Sequence, residues 1–201
     1  MTVEIWQIVA AALIGYLLGS IPSGVIVSRA LTGRDPRNVG SGHTGGLNTA
    51  RTIGWFGFFL AGVPDVMKGL AAVAIVQRFI SSDPWVTVAV GVAAVAGHCW
   101  SIYIGFRGGM GVGTSSGLML YFAPLVVPVM IGLWALLRLT AVRHTAKSAA
   151  VAMLAAGPLT WLFGASPSVI VLGTASSAVL FLRYWQDRNR VYSSAQDRPV
   201  H

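Results

Sequence analysis

Three short segments carry most of the chemistry available to this chain. The first runs Arg37-Asn-Val-Gly-Ser-Gly-His-Thr-Gly-Gly-Leu-Asn-Thr-Ala-Arg51 and places four glycines within seven residues, Gly40, Gly42, Gly45 and Gly46. Such spacing lets the backbone fold sharply and turn several N–H groups toward one point, a concavity that binds anions, above all where a helix N-terminus follows. Ser41 and Asn48 add neutral donors, and Arg51 adds a planar fork suited to a phosphate. The plain alternative is a flexible loop. Gly40 to Gly45 also fits the dinucleotide fingerprint formally, but it follows an apolar helical run instead of a strand, so the match carries no weight.

The second segment is Asp65-Val-Met-Lys68-Gly69, inside an apolar run. Ionisable residues at membrane depth are costly and mark function by default. At spacing i, i+3 the two share a helix face and can pair. A structural ion pair, a substrate contact and an ion relay all remain open for them. The third segment is Gly97-His98 followed by Gly105-Phe-Arg-Gly-Gly-Met-Gly-Val-Gly-Thr114, a second glycine loop with its own arginine, Arg107. Two such loops fit two anionic groups or one large one, although small residues also serve close helix packing in membranes. His98 reads first as a hydrogen-bonded packing histidine, with no companion ligand for a metal. Ser41, Arg51, Lys68 and His98 form the candidate catalytic set.

Several chemistries are missing. There is no His-x4-Asp pair of the kind many glycerolipid acyltransferases use as a base, no aspartate cluster for magnesium-dependent phosphotransfer, and no serine, histidine and acid set for a hydrolase. A pre-activated donor needs little covalent help, because positioning and charge stabilisation suffice.

The elements that must position these groups are membrane helices. Of the 201 residues 55% are hydrophobic and only 10% are charged, whereas a soluble domain carries about 25% charged residues. The net charge of +8 comes largely from arginines flanking apolar runs, where positive charge sets orientation; no nucleic-acid motif accompanies them. The lone Cys99 excludes an intramolecular disulfide. The N-terminus, with Glu4 and no basic stretch, reads as an uncleaved first span. A spanning helix needs about 20 apolar residues. The runs Ile5–Ser28, Pro64–Ile80, Trp85–Ile104, Gly108–Phe122, Pro124–Val142, Ser148–Phe163 and Ser168–Leu182 are the candidates. Splitting the charge-free stretch from Val112 to Leu137 into two spans puts every arginine except Arg78 on one side, as the positive-inside rule asks. The expectation is therefore an all-α integral membrane protein of seven transmembrane helices. Its N-terminus lies outside, its C-terminus and glycine loops are cytoplasmic, and residues 1–192 form one domain followed by a polar tail over 193–201. Thr52–Val63 is expected to be re-entrant or interfacial, with Pro64 in the first turn of the second span.

At these residues the sequence resembles the acyl-phosphate glycerol-3-phosphate acyltransferases of bacteria. The shared motifs are Gly19-Ser-Ile-Pro-Ser-Gly24, the Arg37 to Arg51 loop, Asp65-x-x-Lys68-Gly69, and Gly97-His98 through Phe106 to Thr114. The resemblance implies seven membrane helices in the bacterial inner membrane and no metal or cofactor. It implies a reaction in which an acceptor hydroxyl attacks an acyl phosphate, giving lysophosphatidate and phosphate, with the released phosphate able to take the hydroxyl proton. Gly40, Ser41, Gly42, Gly45, Gly46, Asn48 and Arg51 would hold the donor phosphate, and Arg107, Gly108, Gly109, Gly111 and Arg183 the acceptor. This chain departs from the family pattern at His43 (asparagine), Leu47 (threonine), Ser101 (proline), Arg107 and Met110 (lysines), Tyr184 (histidine) and Asp187 (asparagine). Met110, Tyr184 and Asp187 remove expected acceptor contacts, so the expectation is weak use of glycerol 3-phosphate or a related hydroxylated acceptor. A non-catalytic lipid-binding paralogue and a small transporter are the alternatives from other classes.

Overall fold

The computed structural model describes residues 3–140 and 145–189, and the expected tail at 193–201 lies outside them. All regular structure among the described residues is helical. The helices are α1 (Ile5–Gly19), α2 (Ser23–Thr32), α3 (Gly46–Ile53), α4 (Phe56–Phe79), α5 (Pro84–Cys99), α6 (Val112–Phe122), α7 (Val126–Thr140), α8 (Thr145–Leu154), α9 (Ala156–Leu162) and α10 (Pro167–Asp187). Among the described residues four stretches are long and apolar enough to cross a membrane: Ile5–Thr32, Phe56–Phe79, Pro84–Ile104 and Pro167–Asp187. Val126–Thr140 and Val151–Leu162 are apolar but shorter. The outer surface is made of side chains such as Leu139, Phe79 and Ile5, each more than three-quarters exposed. Only lipid solvates such a surface at low cost.

The core is built from small residues, so the helices approach closely. A Cβ on Gly19 would lie 2.1 Å from the Ala94 carbonyl oxygen, and one on Gly97 would lie 2.2 Å from that of Tyr16. This glycine seam joins α1 to α5, and Tyr16 closes it by donating its hydroxyl to the Trp100 carbonyl at 2.7 Å. Similarly, Gly117 on α6 sits where a side chain would strike the Val66 carbonyl of α4. Packing of this kind replaces the hydrophobic drive that helices lack in lipid.

Two of the expected boundaries are corrected. The run Ile5–Ser28 is not one helix: it breaks between Gly19 and Ser23, because Pro22 has no N–H and disfavours helical geometry at Ile21. The break leaves the carbonyls of Ser20 and Ile21 without helical donors; Ser101 donates to the first and Lys68, in the site, to the second. Thr52–Val63 is not a separate interfacial piece. After a turn at Gly54 (φ 89°), α4 starts at Phe56 and carries Pro64 in its interior. The aromatics of its first turns explain the earlier start. Trp55, Phe56 and Phe59 are at least half exposed, Trp55 stacks on Phe58 at 5.3 Å, and such residues anchor a span at the membrane interface.

Candidate active site

The two glycine loops and the end of α10 meet at one end of the bundle. The opposite end carries the turns around Ser82, Phe122 and Ser166, which share a small cavity of their own. Asp35 anchors the first loop by accepting the backbone N–H of Arg37 at 2.9 Å and pairing with the side chains of Arg29 and Arg37, each at 2.8 Å. Burial works to raise the Asp35 carboxyl, but the Arg37 and Arg29 contacts outweigh it and hold the pKa down at about 2. Arg37 also donates to the Ile104 carbonyl at 3.1 Å, tying the first loop to the second. Its role is therefore anchorage.

Gly40 (φ 54°) and Gly42 (φ 67°) lie in the left-handed region that glycine tolerates. The space a side chain would fill at Gly40 is taken by Asn48 Oδ1 and the Arg51 stem. Asn48 is consumed by the loop itself: Oδ1 accepts from the Ser41 N–H at 3.0 Å, and Nδ2 faces the carbonyls of Pro36, Val39 and His43. Asn48 therefore shapes the first glycine loop by binding its backbone. Arg51, by contrast, is exposed and has no hydrogen-bond or ion-pair partner among the described residues.

Beside this loop four helices converge on Asp65. Lys68 Nζ lies 2.9 Å from Asp65 Oδ1 and donates to the Ile21 carbonyl freed by the helix break, at 3.1 Å. Ser23 of α2 donates to the same carboxylate, His98 Nδ1 of α5 stands 3.4 Å away, and Thr114 of α6 donates to the Asp65 carbonyl at 2.8 Å. A buried charge is tolerable when paired and hydrogen-bonded in this way. The second loop folds over the histidine: a Cβ on Gly109 would lie 2.2 Å from His98 Nε2. Arg183 of α10 holds that loop through the Gly109 and Gly108 carbonyls, at 3.1 and 3.3 Å.

These walls enclose a cavity of about 940 Å³. Its wall carries the polar side chains of Ser41, His43, Asn48, Arg51, Asp65 and His98 with the α3 N-terminus, and the apolar side chains of Phe58, Val63, Val127, Met130, Trp134 and Met153. Phe59 and Val63 of α4 and Ile131 of α7 line the cavity although each is half or more exposed, so that wall opens toward the lipid.

The expected site residues divide into three groups. Ser41, Gly45, Gly46, Asn48, Arg51, His98, Met110 and Gly111 reach the cavity wall. Gly40, Gly42, Gly108, Gly109, Lys68 and Arg183 stand behind it as backbone turns or supports. Arg107 is exposed, and neither it nor Tyr184 lines the cavity. Two contributors were not singled out as site residues from the sequence, Ser23 and His43. The second had a visible signal, because His43 and Asp187 are both departures from the motif pattern and their side chains meet, with Nε2 2.8 Å from Oδ2.

A helical membrane bundle with a glycine-rich loop on the wall of a largely apolar cavity defines a class of lipid-handling membrane proteins. A family model described as Glycerol-3-phosphate acyltransferase matches residues 9–194, and the chain belongs to that family. Among curated relatives, a glycerol-3-phosphate acyltransferase of Rubrobacter xylanophilus is 39% identical over 180 residues, covering 90% of this chain and 87% of the relative. One from Symbiobacterium thermophilum is 36% identical over 192 residues, covering 96% and 94%. Among solved structures, the glycerol 3-phosphate form of the integral membrane acyltransferase PlsY superposes with a TM-score of 0.78 at 30% identity, covering 91% of this chain and 90% of that one. Its lysophosphatidic acid form gives a TM-score of 0.76 at 26% identity, with the same coverage.

Proposed function

We propose that the protein is a multi-pass membrane acyltransferase that moves an acyl chain from an acyl phosphate to glycerol 3-phosphate, making lysophosphatidate for phospholipid synthesis. The observation that carries this reading is one cavity lined both by the glycine loop with Arg51 and by a large apolar wall. The loop and Arg51 suit a phosphate, and the apolar wall suits a hydrocarbon chain. Ser41, the loop N–H groups and Arg51 hold the donor phosphate, with Gly40, Gly42 and Asn48 setting the loop's shape. Attack on the acyl carbonyl builds negative charge beside these donors, which stabilise it. The second loop and Arg183 frame the acceptor side. The Asp65–Lys68–His98 cluster holds the two sides in register. Seven crossings with the glycine loops at the cytoplasmic face of the bacterial inner membrane fit the arginine distribution.

The test is purified protein with an acyl phosphate or an acyl-coenzyme A as donor and a panel of glycerol 3-phosphate, glycerol and other hydroxylated acceptors. Phosphate release and lipid mass spectrometry read the outcome. Lysophosphatidate formed from acyl phosphate and glycerol 3-phosphate supports the reading, and acyl transfer from the thioester alone refutes its donor.

A further inference from the structure

The apolar wall of the large cavity is of two kinds. Ile131 of α7 and Val63 of α4 are more than half exposed and turn toward lipid. Met130 of α7, Met153 of α8 and Leu180 of α10 line the same cavity, yet they are only 4%, 8% and 2% exposed and belong to the packed core. Met130 and Ile131 are adjacent, so the wall passes from protein to lipid within one residue of α7.

The helices give the inner wall a depth. Val127, Met130, Ile131 and Trp134 follow the i, i+3, i+4, i+7 pattern of one helix face. From Trp134 back to Val127 that face runs about 10 Å toward the Phe122 turn, at the end of the bundle away from the glycine loops. The cavity stops there. Val126 is fully buried, and its N–H donates to the carbonyl of Ala123, itself part of the core. On α10, Leu180 stands beside the second loop, with its Cδ1 3.5 Å from the space a side chain on Gly111 would fill. Arg183 holds that loop, whereas Ser177 donates its hydroxyl to the Met153 carbonyl. The helical rise between those two residues is about 9 Å, so Met153 is fixed well away from the loop.

A hydrocarbon chain that follows this inner wall ends against protein, whereas one that follows Ile131 and Val63 ends in lipid and meets no limit. We propose that Met130 and Met153 set the acyl-chain length the enzyme prefers, by closing the cavity where the end of the donor's tail rests. The inference rests on the acyltransferase reading above and narrows its donor to straight acyl chains of bounded length. Up to that length each buried methylene raises kcat/KM about fourfold. Beyond it the gain stops, because a longer chain overpacks a floor that is already core. Methionine suits the place, since its unbranched side chain fills what a shorter tail leaves open.

The experiment uses purified full-length protein in proteoliposomes, with glycerol 3-phosphate and an equimolar ladder of even-numbered acyl phosphates from lauroyl to arachidoyl. Mass spectrometry of the lysophosphatidates reads the ratios of kcat/KM, and using one ladder for every variant cancels differences in donor partitioning. Wild type should show an optimum length. Met130→Ala and Met153→Ala should move it to longer chains, raising use of the next-longer donor relative to the wild-type optimum about tenfold. Met153→Phe should move it to shorter ones. A donor of optimal length that ends in a phenyl ring should be used about tenfold less well by wild type, a readout that needs no variant to fold. The inference is overturned by a wild type without an optimum, by a phenyl-ended donor used as well as its parent, or by an optimum that stays put in alanine variants that still turn over. An optimum that moves only with Ile131→Trp also overturns it, and puts the tail in the lipid-facing slot. Lysophosphatidate forms in all of these cases, which leaves the acyltransferase reading intact. A wild type that makes none from any acyl phosphate overturns both.

Discussion

Arg51 is the one permanent cation on the described cavity wall, which it shares with the polar side chains of Ser41, His43, Asn48, Asp65, His98 and Ser116. Removing it by Arg51→Ala should weaken acyl phosphate binding by about 1.5–3 kcal/mol, the worth of a hydrogen bond to a charged group. Titration of the purified variant with a non-hydrolysable acyl phosphate reads this directly, and wild-type affinity would move the phosphate site elsewhere. Gly42→Val should impair the same binding for a different reason, since a β-branched residue is strained at φ 67°. Met110 is the acceptor-side departure that reaches the cavity, whereas Tyr184 does not. Met110→Lys should therefore lower the KM for glycerol 3-phosphate roughly tenfold or more, in keeping with one added charge-assisted contact, while Tyr184→His changes it little. A KM that stays put in Met110→Lys, or a wild type that already saturates at micromolar glycerol 3-phosphate, removes the idea of a diverged acceptor site. The aspartate at 187 would repel a phosphate if unpaired, but it faces His43. A variant that changes Asp187 alone therefore probes that pair as well as the acceptor.

At the scale of elements, the legible parts were those governed by local chemistry. Four glycines in seven residues announced the loop, and spacing i, i+3 announced the Asp65–Lys68 pair, which the structure shows at 2.9 Å. The break at Pro22 was harder to read, because the charge-free run from Ile5 to Ser28 masks a local backbone defect. The start of α4 was misplaced because Pro64 is a strong stop signal on its own, and the aromatic turns before it outweighed that signal. His43 and Asp187 both stand out in the sequence as departures from the motif pattern, but they lie far apart along it, and the packing of α10 against both loops is what shows that they meet. Two predictions belong here. Gly19→Val would push a side chain into the Ala94 carbonyl, so it should destabilise the α1–α5 seam by about 1–3 kcal/mol or more, read as thermal unfolding in detergent. The Asp35 anchor carries a pH signature. Its carboxyl is depressed from 3.8 to about 2, so its stabilising contribution is complete above about pH 4 and is lost as pH falls toward 2. The stability difference between wild type and Asp35→Asn should be constant near neutrality and shrink over that window; a difference that grows on acidification contradicts the anchor.

For the whole molecule, the prediction concerns the side and number of crossings. Each of the seven apolar runs meets a helix, and among the described residues four stretches have the length to cross by themselves. In a background with Cys99 replaced, single cysteines at Arg34, Thr140 and Arg188 should react with an impermeant reagent from the cytoplasmic side alone. Cysteines at Ser82 and Ser166 should react from outside alone. Outside labelling at Thr140 would undo the seven-crossing topology and the shared cytoplasmic face.

The lipid-facing opening along Phe59, Val63 and Ile131 has a kinetic consequence. Lifting a chain of about fifteen methylenes into water costs on the order of 12 kcal/mol at about 0.8 kcal/mol each. A donor that slides in sideways, tail still in hydrocarbon, avoids that barrier, and its product can leave by the same slot. The two substrates would then be counted in different units: glycerol 3-phosphate by its molarity in water, the acyl donor by its mole fraction in the bilayer. Diluting proteoliposomes with inert lipid at fixed total donor should slow turnover, whereas diluting the same vesicles with buffer at fixed glycerol 3-phosphate concentration should leave the rate per enzyme unchanged.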